Sequence, residues 1–172
     1  MGSHTTELQL PYRVTTRKDF WKFAKTRINY REFDAHQLFL KEVLGRSRNN
    51  VTAASFTVRF HKNSDGVSII TCMEVSINCS CFPTPYEPLL GSAIEHEIYE
   101  MWVCVKPGIE IHEESARHKL AMRHEFRRAI NDGSIYLRMQ CGKRWSKHWG
   151  IPINPKEDIE VYDHLLKSNL AK

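Results

Sequence analysis

Ala54-Ser55-Phe56-Thr57-Val58-Arg59-Phe60-His61 alternates apolar and polar residues without a break, which is the two-residue period of a half-buried strand. Asn63-Ser64-Asp65-Gly66 follows, and Asp-Gly suits the positive φ angles of a tight hairpin turn. The return stretch carries Val67, Ile69, Met73, Val75, Ile77 and Cys79 at odd positions, so they share one face of a second strand. This hairpin decides the class. The segments before and after it are helical in period, so the chain reads as α+β in a single domain, with an antiparallel sheet centred on 55–60 and 67–77 packed against several helices.

Downstream, Phe82 to Pro88 contains three prolines and leaves the sheet as an irregular connection. A helix then starts near Leu89 to Ser92 and stops before Pro107-Gly108. It contains Ile94-Glu95-His96-Glu97-Ile98-Tyr99-Glu100-Met101-Trp102. At ~100° per residue His96, Glu97 and Glu100 lie on one side, while Ile94, Ile98, Met101 and Trp102 spread over the flank that faces a core. Glu110 to Glu114 form an acidic connector. Ser115 can cap a further helix ending at Asp132-Gly133, in which His118 and Glu125 are about two turns apart and share a face. Two helices with His and Glu on one face can assemble a site for a divalent metal such as zinc.

Upstream, Leu8, Leu10 and Tyr12 alternate around Pro11, as in an extended arm or edge strand. Thr16, with Asp19 at its third position, is a helix N-cap, and the helix runs through Phe20, Phe23, Ala24 and Ile28. Its exposed side carries Arg17, Lys18, Lys22, Lys25 and Arg31. Asp34 caps a second helix through Leu38, Leu40, Val43 and Leu44, closed by Gly45. The segment after Gly133 interleaves Arg138, Lys143, Arg144 and Lys147 with Trp145 and Trp149 and holds no acidic residue through Gly150. A last short helix is read over 156–170.

The 172 residues suffice for one well-buried core. Met1-Gly2-Ser3-His4 reads as an expression scar, so the domain is taken as 5–172: a basic helical part over 5–50, the sheet and candidate site over 51–133, and a basic, aromatic C-terminal part over 134–172. No apolar run approaches the roughly 18 residues that cross a bilayer, and no signal peptide is visible, so a cytoplasmic protein is expected. Five cysteines, an odd number, are read as reduced thiols. Cys79 and Cys81 are read as buried thiols on one strand face. The net charge of +5 is uneven: residues 1–62 carry 12 Lys and Arg against 5 Asp and Glu, the remainder 13 against 15.

The order of hairpin, loop, helix with His-Glu-x-x-Glu, then helix with His and Glu resembles the minimal zincin metalloproteases, whose active helix carries His-Glu-x-x-His. The resemblance covers about 51–133. It implies a zinc-dependent peptidase or a catalytically weakened relative: His96 a metal ligand, Glu97 the general base that takes a proton from metal-bound water, and Glu100 where the second histidine normally stands. A carboxylate at i+4 reaches the same ligand sphere. Being anionic it also removes Lewis acidity, so bound water is less acidified and hydrolysis slower. His118 is the expected third ligand, with Glu125 or His124 as substitutes and Tyr99 as an additional phenol. Residues 65–81 can hold an extended peptide or protein substrate by backbone pairing.

Two competing readings use the same residues. Glu95, Glu97 and Glu100 can form a salt-bridged face with Arg117, Arg123, Arg127 and Arg128, with His96 and His118 in ordinary hydrogen bonds. Alternatively the basic front and the 138–149 segment make a non-enzymatic nucleic-acid-binding or regulatory module, unless that segment simply docks Trp145 and Trp149 on the body. No glycine-rich phosphate loop or glycine-framed nucleophile occurs, which disfavours nucleotide-dependent and Ser or Cys hydrolase chemistry.

Overall fold

A computed structural model describes residues 9–31, 52–108 and 113–149, with 163, 164 and 167. Along them run β1 (Tyr12–Arg13), α1 (Arg17–Lys25), β2 (Ile28–Arg31), β3 (Ala54–Lys62), β4 (Ser68–Asn78), α2 (Leu90–Val105), α3 (Glu114–Asn131) and α4 (Ile135–Trp149). The helix expected after Asp34, the one expected over 156–170 and the acidic connector fall largely outside the described residues.

The hairpin forms as its alternation demands. Ala54, Phe56, Val58 and Phe60 face Ile77, Val75, Met73 and Ile70 across antiparallel β3 and β4. Gly66 takes φ +74° in the turn, and the Asn63 side chain accepts from the amides of Asp65 and Val67, both at 3.0 Å. One detail departs from simple alternation. A bulge pairs Arg59 with Cys72 but Phe60 with Ile70, leaving Thr71 as the extra residue. The inward face therefore passes from Met73, Val75 and Ile77 to Ile70 and Ser68, not to Ile69 and Val67. The strand also stops at Asn78, so Cys79–Cys81 is a 3₁₀ turn with Cys81 fully buried and Cys79 half-buried. None of the five cysteines is in a disulfide.

β4, the longest and most apolar strand, is the middle of the sheet. β3 borders one side of it, and the other side is shared end to end by β1, antiparallel, and β2, parallel. The parallel pair corrects the expectation of an all-antiparallel sheet, and it follows from an early end to the first helix. Thr16 caps α1 as expected, its hydroxyl accepting from the Asp19 amide at 3.2 Å. Thr26 closes the helix by donating to the Phe23 carbonyl at 2.7 Å. Ile28 and Arg31, expected on the helix, instead belong to β2, where Ile28 sits opposite Val75. The apolar step from Ala24 to Ile28 fits a helix or a strand entered after a turn, and the β-branched and aromatic Ile28-Asn29-Tyr30 suits the strand.

α1 and α2 cover the inner face of the sheet. Phe20, Phe23, Ala24, Ile70, Val75, Ile77, Ile98, Met101 and Val105 are all fully buried in one cluster, each larger side chain contributing about 1.5–3 kcal/mol by leaving water. Tyr12 stacks on Phe23 with ring centroids 3.9 Å apart. α3 begins at Glu114, one residue before Ser115, whose hydroxyl donates to Glu113 rather than capping a free amide. A second cluster of Met122, Phe126, Ala129 and Ile135 joins α3 to α4 across the Gly133 turn, where φ is +72°. Among the described residues no helix is long and apolar enough to cross a membrane.

Candidate metal centre

α2 turns its apolar stripe to the sheet, and this leaves His96, Glu97 and Glu100 toward α3 and the start of β3. All three are buried, as is Glu125 on α3. His96 is the pivot of the group. Its Nδ1 donates to Glu125 Oε2 at 2.8 Å, and its Nε2 lies 3.4 Å from Glu100 Oε2. The Nδ1 of His118 stands 4.0 Å from the same Glu100 oxygen. One ligand atom from each of His96, Glu100 and His118 can be chosen so that all lie within 4.8 Å of one another.

That spacing suits a metal ion. Ligands on a tetrahedral zinc at ~2.0–2.1 Å stand about 3.3 Å apart, and His96 Nε2 and Glu100 Oε2 are 3.4 Å apart. The donor set, two imidazoles and one carboxylate, is one that catalytic zinc sites use with a further position open. Second, the hydrogen bond on Nδ1 of His96 leaves Nε2 as its metal-facing atom, the arrangement in which a carboxylate orients a ligating histidine. His118, with its side chain 49% exposed, closes the group on the solvent side.

The electrostatics follow from burial against pairing. Burial alone would lower the His96 pKa, but hydrogen bonds to Glu100 and Glu125 outweigh it and raise it to about 10. Burial would raise Glu100, but His118 and His96 hold it down at about 2. Glu125 is likewise opposed by burial yet held at about 2, by the charge of Arg138 and the His96 hydrogen bond. Glu97 is the exception. Burial pushes it up to about 7, with the His96 charge opposing and Glu100 and Glu125 reinforcing. No hydrogen bond reaches it from the described residues. A carboxyl poised near neutrality is matched to taking and returning a proton.

Glu97, with His96, Glu100 and His118, lines a cleft of about 360 Å³ whose opposite wall is Thr52 and Ala54–Phe56. That wall is the start of β3, which pairs only with β4 among the described residues. The expectation that residues 65–81 hold an extended chain is corrected here: β4 is bordered on both sides, and the strand edge beside the cleft is that of β3.

The other candidates are placed elsewhere. His124 Nε2 lies 3.4 Å from Glu95, which also pairs with Arg128 at 2.6 Å. Tyr99 stacks on His124 at 4.8 Å and meets the edge of Trp21. This Glu95, Tyr99 and His124 group sits on another flank of α2, so neither Tyr99 nor His124 joins the His96 group. The salt-bridged face therefore forms at Glu95 with Arg128, whereas Glu100 faces histidines. Glu125 binds His96 at the nitrogen opposite to the one facing Glu100.

Arg138 belongs to the basic, aromatic segment whose sequence allows nucleic-acid binding or docking of its tryptophans on the body. It is buried on α4, and its Nε donates to Glu125 Oε1. Its guanidinium covers Trp145 at 4.9 Å and Phe126 at 5.3 Å. Trp145 is buried too, its indole N–H donating to the Cys81 carbonyl at 2.7 Å, while the Trp149 side chain lies outside the described residues. The available signal was the Asp132-Gly133 turn: in a helical hairpin, residues at comparable distances from the turn face each other, and Glu125 and Arg138 flank it. No family model, curated protein or solved structure matches the chain.

Proposed function

We propose that this protein is a divalent-metal hydrolase of zincin-like arrangement, acting on extended peptide, with His96, Glu100 and His118 holding the ion, most simply zinc. One observation carries this reading: the His96, Glu100 and His118 ligand atoms converge beside a buried Glu97 that takes no hydrogen bond from the described residues, in a cleft walled by β3. A bound divalent ion supplies Lewis acidity, which acidifies water and polarises a carbonyl. The chain's own residues supply the rest. Glu97, raised to about 7, accepts the proton of the attacking water and returns it to the leaving amine. The backbone of β3 offers amides and carbonyls to align an extended substrate along the cleft. Burial of His96, Glu97 and Glu100 excludes bulk water from the reacting side.

Metal analysis with a substitution series tests this. The purified protein is expected to bind one divalent ion per chain, and zinc at 1,000 times its Kd should stabilise it by about 4 kcal/mol. His96→Ala abolishes binding. Glu97→Gln retains the ion and loses hydrolysis of casein-type and short peptide substrates. A protein that takes up no stoichiometric divalent ion, and whose melting temperature zinc leaves unchanged, would defeat the reading.

The nucleic-acid alternative draws on the exposed Arg17, Lys18, Lys22 and Lys25 of α1 and on the exposed Lys143 and Lys147 of α4. Arg138 and Trp145, counted with them from the sequence, are buried and so present no phosphate or base contact. An anisotropy titration at low salt decides it. Binding that weakens steeply with added salt would support it, and no binding to single- or double-stranded DNA or RNA removes it.

A further inference from the structure

The His96 site draws all its candidate ligands from α2 and α3, yet the chain of buried polar contacts does not end there. Glu125 Oε2 accepts from His96 Nδ1 at 2.8 Å, and its other oxygen, Oε1, accepts from Arg138 Nε on α4. All three side chains are buried. Arg138 is itself held from two sides, by the rings of Trp145 at 4.9 Å and Phe126 at 5.3 Å. A carboxylate carries two oxygens in one plane, so fixing Oε1 fixes the direction in which Oε2 meets the imidazole.

We propose that Arg138 is a positioning residue of the metal centre: through Glu125 it fixes the ring orientation of His96 and keeps Nδ1 as the hydrogen-bonded nitrogen, so that Nε2 is the atom turned toward Glu100 and His118. The proposal rests on the reading of the site as a metal centre. It gives the basic C-terminal helix a role that charge and aromatic content alone do not assign. Partners one layer outside a ligating histidine commonly change metal affinity 10–100-fold when removed. Arg138 stands one contact further out, so an effect of roughly 10-fold, at the low end of that range, is expected.

Two readouts on the full chain test this. In metal-free protein with isotope-labelled histidine, the His96 Nδ1–H should exchange slowly with solvent in wild type and rapidly in Arg138→Met. Zinc affinity, from competition with a chelating indicator, should fall roughly 10-fold in Arg138→Met. Ile70→Ala, which opens a cavity in the separate sheet core on β4, controls for destabilisation and should leave both readouts unchanged. Arg138→Lys keeps the cation without the planar fork and serves if the methionine variant does not fold. It should retain part of the exchange protection. If Arg138→Met lowers the melting temperature as Ile70→Ala does but leaves Nδ1–H exchange and zinc affinity at wild-type values, Arg138 is purely structural and the proposal fails. If Nδ1–H behaves as expected while wild type binds no divalent ion, the metal reading fails and with it the role assigned to Arg138.

Discussion

Replacing Glu97 with glutamine should stabilise the metal-free protein while removing the proposed hydrolysis. The side chain is buried without a hydrogen-bond partner among the described residues, and its pKa is raised from 4.5 to about 7. A raised carboxyl binds its proton more tightly in the folded than in the unfolded chain. Between pH 4.5 and about 7, therefore, the folded state binds more protons than the unfolded state, and stability falls as pH rises through that window. Above it the cost is complete: at ~1.4 kcal/mol per pH decade, a displacement of this size is about 3 kcal/mol. Glutamine keeps the shape and cannot ionise, so it avoids the loss. In a metal-free thermal melt near pH 8, Glu97→Gln should exceed wild type by roughly 6–12 °C, taking 2–4 °C per kcal/mol for a chain of this size. Near pH 4 the two should melt within a degree or two of each other. A variant no more stable than wild type near pH 8, or one displaced equally at both pH values, would show that Glu97 is not an ionised group confined against its solvation. The reasoning that makes it a proton acceptor would then fall as well.

Further outcomes follow from the same geometry. Because His96 is held protonated up to about 10 when metal-free, zinc binding near neutral pH must displace a proton from it, so calorimetric binding enthalpies should differ between buffers of unlike ionisation enthalpy. Glu95→Gln removes the partner of Arg128 and His124. It should cost at most about 1 kcal/mol, since the pair is partly exposed, and leave zinc affinity within about twofold because none of the three ligands is touched. Phe23→Ala deletes a fully buried ring stacked on Tyr12. It should cost about 3–5 kcal/mol by chemical denaturation and release β1 from the sheet edge.

The parts of the fold governed by local pattern were legible. The Thr16 cap, the Asp65-Gly66 turn, the start of α2 and its stop before Pro107 each rest on one or two residues whose conformational preference admits little else. The site was legible as far as helical spacing reaches: His96 and Glu100 share a face because they are i and i+4, and His118 meets them from α3. Information that depends on partners distant in sequence was not. The Thr71 bulge is a matter of registry between two strands, either of which reads as regular alone. β2 exists because Ile28–Arg31 finds Val75–Asn78, and nothing within Ile28-Asn29-Tyr30-Arg31 excludes one more helical turn. His124 and Glu125 are neighbours in sequence, and only the rotation of α3 against α2 sends one to Glu95 and the other to His96. Arg138 is hidden for the same reason: nothing in a run of basic and aromatic residues marks one of them as buried, and only Glu125 across the helical hairpin does so.

The charges in this centre argue against a purely structural role. Protonated His96 and Arg138 balance ionised Glu100 and Glu125, and a balanced network of this kind can be tolerated in a core. Such networks seldom add stability over well-packed apolar side chains, because desolvating the ions consumes most of the Coulombic gain. Glu97 stands outside even that balance. It is a third acidic group facing two anionic carboxylates, and burial, not pairing, dominates its pKa. Apolar substitution at Glu97 would serve the core better. A divalent cation held by His96, Glu100 and His118 would reverse the sum, its charge displacing the proton of His96 and favouring the ionised form of Glu97. Glu97, which the described network leaves uncompensated, is thus a residue whose position a bound ion would make favourable, and it lines the cleft beside β3, which pairs only with β4 among the described residues.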